Sequence, residues 1–180
     1  DHVFVKKNKE HLTEVQLKNG GPICVDFDFR YTYDVTERQH NSDHIQDMVL
    51  LYLDELKELY DFEASRTFDV FIFEKPNVNR LEDKQITKDG IHMLINIKMD
   101  HIMQQILRDK IIKEIEQIWD LPLTNEWASV FDEGISKGTT NWQLFGSCKP
   151  HNETYLMTGH YHIGYDNDDG EFTMEELNVN

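Results

Sequence analysis

Cysteine, proline and long apolar runs are all scarce in this 180-residue chain, and each scarcity excludes something. Two cysteines, Cys24 and Cys148, are too few for a disulfide framework, so a reducing compartment is the simpler setting. Four prolines and no Pro- or Ser-rich stretch leave no long linker. No apolar stretch approaches the roughly 20 residues that span a bilayer, so no membrane association is expected. The first residues are charged and polar, unlike a signal peptide, and an intracellular rather than secreted protein is expected. Residue 1 is Asp, as in an excised piece of a longer chain or a processed product. Bases are outnumbered, with 18 Lys and Arg against 34 Asp and Glu and a formal charge of −16. That balance argues against loose nucleic-acid binding over the whole surface but leaves room for a local basic groove.

What is present is a core. Hydrophobic residues make up 39% of the chain, with ten Phe, seven Tyr and three Trp, enough for one folded domain or at most two small lobes. Asp1 to Val5 reads as a short strand, followed by a basic cluster of Lys6, Lys7 and Lys9. Asn19-Gly20-Gly21-Pro22 reads as a turn. Ile23 to Tyr33 alternates apolar residues with Asp26, Asp28 and Arg30, which predicts a strand carrying those three on one face. A helix from Ser42 or Asp43 to about Tyr60 follows from the spacing of Ile45, Met48, Val49, Tyr52, Leu56 and Leu59. Phe68 to Glu74 is a second strand, residues 75–90 a polar connection, and Ile91 to Ile97 a third strand. Asp100 caps a long helix whose buried stripe is Met103, Leu107, Ile111, Ile115 and Ile118, ended by Leu121-Pro122. Ala128 to Phe131 reads as a short strand, 133–140 as a loop, and Trp142 to Phe145 and Tyr155 to Tyr165 as further strands. From Asp166 to Leu177 there are six acids and no base, which reads as a solvated tail or linker. The order predicts an α+β domain with a largely antiparallel sheet flanked by helices, spanning 1–165, with 166–180 as the tail.

Four local patterns carry possible chemistry. Asp26 and Asp28, about 7 Å apart by strand rise, suit hard divalent cations, and their repulsion makes them costly without one. A solvated acidic edge would read the same way. Gly90-Ile91-His92 opens a strand with a histidine two residues after a glycine that allows close approach, an arrangement that suits a phosphate. An ordinary strand-end histidine fits it too. Asp132 ends the apolar run Ser129-Val130-Phe131 and is either a third metal-binding acid or a turn cap. Gly146-Ser147-Cys148-Lys149 puts a lysine in a turn after a strand, where it can meet a triphosphate or stay exposed. Asn141, Trp142 or Gln143 could contact a base or sugar. Cys148, His151, His160 and His162 have loosely ligand-like spacing, but without a CxxC motif structural zinc is not expected.

Together and in this order, the four patterns resemble the archaeo-eukaryotic primase superfamily, in particular the primase domain of primase-helicases from large nucleocytoplasmic DNA viruses. The resemblance covers roughly residues 23–165. It implies an RRM-like catalytic half in which Asp26, Asp28 and Asp132 bind catalytic Mg²⁺ or Mn²⁺. It also implies that His92 contacts the phosphates of the incoming nucleotide and Lys149 the triphosphate, with Gly90, Ser147 and Arg30 beside them. The implied activity is template-directed nucleotidyl transfer that makes primers for viral DNA replication in the infected cell. The implied partners are a single-stranded DNA template, NTP or dNTP, and a helicase domain in the same polypeptide. No Walker lysine motif is present, so this piece is not itself the ATPase. Two positions depart from the pattern. Gly90 stands where many relatives have Ser, and Asn141-Trp142-Gln143 where an Arg is common, so Arg30 or Lys88 is the expected substitute. Another metal-dependent phosphoryl enzyme, such as a nuclease or phosphoesterase, and a noncatalytic module of a replication complex are the competing readings.

Overall fold

The computed structural model describes residues 12–63, 66–143, 145–150, 152–166 and 169–179. The expectations for Asp1 to Val5, for Lys6, Lys7 and Lys9, and for His151 lie outside these residues.

Eight strands, four α-helices and one 3₁₀ turn (Glu82–Lys84) lie along the described chain. They are β1 (Thr13–Val15), β2 (Asn19–Thr32), α1 (Ser42–Leu59), β3 (Thr67–Glu74), β4 (Asn79–Leu81), β5 (Ile86–Asp100), α2 (His101–Ile118), α3 (Trp127–Val130), α4 (Glu133–Ser136), β6 (Asn141–Gln143), β7 (Leu156–Asp166) and β8 (Glu171–Glu176). Six of the strands form one antiparallel sheet in the order β2-β5-β3-β7-β8, with β4 also paired to β5. β1 and β6 pair antiparallel in a separate two-stranded sheet. The fold is the expected α+β class with a largely antiparallel sheet.

Strand alternation splits the large sheet into two faces. Val25, Phe27, Phe29 and Tyr31 of β2, Ile91, Met93 and Ile95 of β5, and Val70 and Ile72 of β3 are buried in the main core. α1 covers them with Met48, Val49, Tyr52 and Leu56, and α2 with Leu107, Ile111 and Ile115. Each such side chain contributes roughly 1.5–3 kcal/mol on burial. On the opposite face, Cys24 packs with Leu94, Trp142 and Ile135 in a smaller apolar cluster.

Both long helices start where polar residues stop them. Asn41, one position ahead of the expected cap, accepts from the His44 N–H in a capping box. The Asp100 carboxylate accepts from the N–H groups of Ile102 and Met103 at 2.9 Å each, as the sequence predicts. α2 ends before Leu121-Pro122, but Ile118 is 50% exposed and Trp119 takes the buried place instead. The chain leaves the helix at Trp119, which turns the indole back onto Phe27 and Phe29.

Four further expectations are corrected. Residues 19–22 are not a free turn but the bulged start of β2, with Gly20 at φ +112° supplying a backbone that other residues rarely adopt. β5 begins at Ile86 rather than Ile91, because its first turns inward with polar residues. Thr87 donates to the Val35 carbonyl at 2.7 Å, and Asp89 is held by Arg38. The run Ala128 to Phe131 is not a strand. Residues 127–130 form a helical turn and Phe131 makes one bridge, to Phe27. Finally, the acidic segment expected to be a solvated tail contains β8, which pairs with β7 from Tyr161↔Glu176 to Asp166↔Glu171. Its alternate residues Phe172 and Met174 pack on the core while the acids face out.

Candidate active site cleft

Asp26 and Asp28 lie on the face of β2 away from the helices, and the β2–β5 register sets their neighbours. His92 is directly opposite Asp26, Gly90 opposite Asp28 and Lys88 opposite Arg30. The two short sequence patterns are thus the same place in the sheet, a juxtaposition that neither pattern shows alone. His92 Nε2 is 3.5 Å from Asp26 Oδ1. Lys88 Nζ meets Asp28 Oδ1 at 2.8 Å, and Arg30 Nη2 meets Asp28 Oδ2 at 3.1 Å.

Asp132 joins them by a backbone contact. Its N–H donates to the Asp26 carbonyl at 3.0 Å, continuing the Phe27–Phe131 bridge. Buried Arg108 of α2 fixes that approach, with its guanidinium donating to the Phe131 carbonyl at 3.1 and 2.8 Å and to the Ala128 carbonyl at 2.7 Å. Asp132 Oδ1 also caps α4 by accepting from the Gly134 N–H at 2.8 Å. Asp132 is thus the turn cap that one of its two readings expects, and it also lines the cleft.

The cleft has a volume of about 260 Å³. Four acids (Asp26, Asp28, Asp89, Asp132) and three lysines (Lys75, Lys88, Lys149) line it together with His92. Burial pushes the Asp26 carboxyl up to about 7, and the Asp132 and Asp28 carboxylates add to the rise. Burial pushes the Lys75 ammonium down, reinforced by Lys149 and Lys88. Burial, then Lys75 and Lys149, likewise hold the His92 imidazole well below its ordinary value, so the ring is neutral. A cleft that disfavours both an anion and a cation in isolation suits a ligand that carries both signs.

Aromatic rings fix the histidine. Tyr155 stacks on it with centroids 3.7 Å apart at 19°, and the Trp142 indole N–H donates to Nδ1. Lys75 Nζ sits 4.9 Å above the other partner in that stack, the Tyr155 ring. Gly90 cannot carry a side chain here, since a Cβ would lie 2.7 Å from the Phe27 carbonyl oxygen and 3.2 Å from the Tyr155 hydroxyl. The close approach it permits is to β2, and the serine of the family pattern has no room.

Two expected nucleotide-binding residues stand apart from the cleft lining. Ser147 is buried and its Oγ accepts from the Leu12 N–H at 2.7 Å. Arg30 is half exposed and reaches the site only through Asp28. The turn bearing Lys149 is instead held by Gln143, whose amide oxygen accepts from the Cys148 and Lys149 N–H groups at 3.0 and 2.7 Å. His160 and His162 both meet Asp69 Oδ1, at 3.2 and 3.0 Å.

Sequence reasoning missed Lys75, Tyr155 and the network beneath them. Arg38 forks onto Asp89 at 2.8 and 3.1 Å and donates to the Lys75 carbonyl at 2.7 Å. Asp89 in turn accepts from the Gly90 N–H at 2.9 Å, and Glu74 ties in Arg38, His40 and Thr158. The one available signal was the position of Lys75 at the end of an apolar strand, before Pro76.

Fold and cleft together define a primase-like α+β domain. Residues 1–161 match the C962R protein N-terminal AEP domain, and the chain belongs to that archaeo-eukaryotic primase family. It is also 28% identical over 177 residues to a helicase-named protein of Acanthamoeba polyphaga mimivirus. That alignment covers 93% of this chain and 17% of the relative's length. Among the described residues, no helix is long and apolar enough to cross a membrane.

Proposed function

We propose that this chain is the nucleotidyl-transfer domain of a DNA primase or primase-polymerase, joining nucleotides on a single-stranded DNA template. The observation that carries this reading is the mixed lining of one cleft: Asp26, Asp28 and Asp132 beside Lys75, Lys88, Lys149 and His92. A nucleoside triphosphate with divalent cations presents both charges such a lining would meet.

The donor set fits Mg²⁺ or Mn²⁺ in its chemistry, since all three acids are hard oxygen ligands and Asp26 is poorly tolerated as a bare anion. Among the described residues no three acid, His or Cys side chains converge as a ready-made cation cage. Asp28 is turned to Lys88 and Arg30, and Asp132 to the Gly134 N–H. Asp26, Asp28 and Asp132 would hold the ions by releasing those partners. The bound cations would supply activation of the attacking 3′-hydroxyl and stabilisation of the departing pyrophosphate.

The chain's own groups do the positioning. Lys75 and Lys149 neutralise triphosphate oxygens as point charges, and Lys88, once released by Asp28, adds a third. His92 donates to a phosphate oxygen. Asn77, Asn79 and Asn152, which also line the cleft, offer uncharged hydrogen bonds to sugar or base. The helicase name of the mimivirus relative, and the small share of it that this chain spans, support a helicase module in the same polypeptide.

The test supplies single-stranded template, NTPs or dNTPs, and Mn²⁺ to wild type and to Asp26→Ala/Asp28→Ala. New oligonucleotides from wild type alone are expected. Template shortening would instead make the chain a nuclease, and no metal-dependent product from folded protein would leave it a noncatalytic module.

A further inference from the structure

β6 contributes a residue that touches the candidate nucleotide-binding histidine from behind. The Trp142 indole N–H points at His92 Nδ1, and the two rings meet edge to face with centroids 4.9 Å apart. An indole nitrogen is a donor only. The imidazole nitrogen it meets must therefore offer a lone pair, and a neutral imidazole with a lone pair on Nδ1 carries its proton on Nε2. Nε2 is the atom that faces Asp26 and the cleft.

The indole is not free to turn away. β6 pairs with β1 at Glu14↔Trp142, and the ring is 6% exposed, packed with Cys24, Leu94 and Ile135. The imidazole is equally confined, with Tyr155 stacked on one face and 5% exposure overall. A half-turn about Cβ–Cγ would put Cδ2–H against the indole N–H and Cε1–H toward Asp26, losing both polar contacts.

We propose that Trp142 is a positioning residue that fixes the His92 tautomer, so that Nε2–H is presented to the cleft as a hydrogen-bond donor for an anionic phosphate oxygen. Fixing the tautomer beforehand spares the bound nucleotide the cost of selecting it. A ring free to adopt the Nδ1–H tautomer would present the Nε2 lone pair to phosphate in part of the molecules, and two acceptors repel. Trp142 carries no charge of its own. Its contribution is therefore to orient a donor rather than to add a charge. The inference rests on the nucleotide-binding reading of the cleft for its ligand, but the tautomer itself does not.

Nuclear magnetic resonance on ¹⁵N-labelled protein tests both parts. Expected in the wild type is a scalar coupling across the hydrogen bond between Trp142 Nε1 and His92 Nδ1, with the histidine proton on Nε2. Titration with ATP and Mg²⁺ should then shift the His92 Nε2–H signal. Trp142→Phe, which keeps a ring but loses the N–H, should abolish the coupling and weaken ATP binding about tenfold with the melting temperature little changed. A His92 proton on Nδ1, or on both nitrogens, in the wild type would overturn the proposal without any variant. Unchanged ATP affinity in a folded Trp142→Phe protein would overturn the positioning role. Coupling and ATP shift together with no oligonucleotide product would leave Trp142 in its role and sink nucleotidyl transfer instead.

Discussion

Asp26 is where sheet geometry and electrostatics conflict most directly. In the unfolded chain its carboxyl titrates near the ordinary value of about 3.9, whereas burial and two neighbouring acids raise it to about 7 in the fold. Ionising it therefore opposes folding. The opposition is absent below about pH 4, grows as pH rises, and is complete above about pH 7. Asp26→Asn is expected to match wild type near pH 4 and to exceed it at pH 8 by on the order of a few kcal/mol, in EDTA. Mn²⁺ at pH 8 should raise the wild-type melting temperature and leave the Asn variant's unchanged. Urea denaturation at the two pH values and a thermal-shift series check this, and equal stability at pH 8 would remove Asp26 as a buried anion. Gly90 gives a second expectation. Gly90→Ala drives a methyl against the Phe27 carbonyl and should destabilise the fold by about 1–3 kcal/mol, with Gly90→Ser no better. The acids, His92 and Lys149 were legible as residue types at suggestive spacings. Lys75 and Tyr155 were not, because what makes them part of the cleft is the pairing of β3 with β5 and the stacking on His92.

Among the elements, α2 reaches the cleft without lining it. Arg108 spends its fork on the Phe131 and Ala128 carbonyls and so sets the helical turn that delivers Asp132 to Asp26. Arg108→Met keeps the buried stem but leaves those carbonyls unsatisfied. A loss of roughly 2–4 kcal/mol is expected, since hydrogen bonds to a charged group contribute about 1.5–3 kcal/mol each and are not additive. Oligonucleotide synthesis should fall more than stability alone explains, measured at a temperature where both proteins are folded. Retained synthesis in the folded variant would mean that Asp132 does not depend on this clip. The same region shows why sequence periodicity failed locally. Four residues of mixed apolar character cannot distinguish a strand from a helical turn, and what decided between them was Arg108, twenty residues upstream. The start of β5 failed for the opposite reason. Thr87 and Asp89 are buried polar residues with dedicated partners, so the apolar signal begins only at Ile91. The long amphipathic elements α1, α2, β2 and β3 were legible because burial alone explains their pattern.

For the molecule as a whole, the unusual quantity is the −16 charge, and β8 shows how a segment can carry acids and still belong to the core. Its outward residues are Glu171, Thr173 and Glu175, with Glu176 exposed at the strand end, and Lys57 of α1 meets Glu171 at 2.7 Å. Its inward residue Phe172 lies within 5.0 to 6.0 Å, centroid to centroid, of Phe62, Tyr165 and Phe68. Charge count alone reads such a strand as tail, since the alternation of two apolar residues is too short to outweigh the acids. The two readings differ in what deletion does. A solvated tail can be removed with no loss of stability, and lower self-repulsion favours the remainder. A sheet strand cannot. A chain ending at Asp166 loses the packing of Phe172 and Met174, which costs about 2–4 kcal/mol. It also uncovers the β7 edge, whose unpaired N–H and C=O groups then invite pairing with another copy. Urea denaturation of the shortened protein should show the lower midpoint, and sedimentation velocity should show self-association at concentrations where the full chain does not associate. Added salt separates the two contributions. Screening the remaining charges should raise the stability of both proteins, whereas a deficit that comes from lost packing persists at 1 M NaCl, where the screening length is about 3 Å.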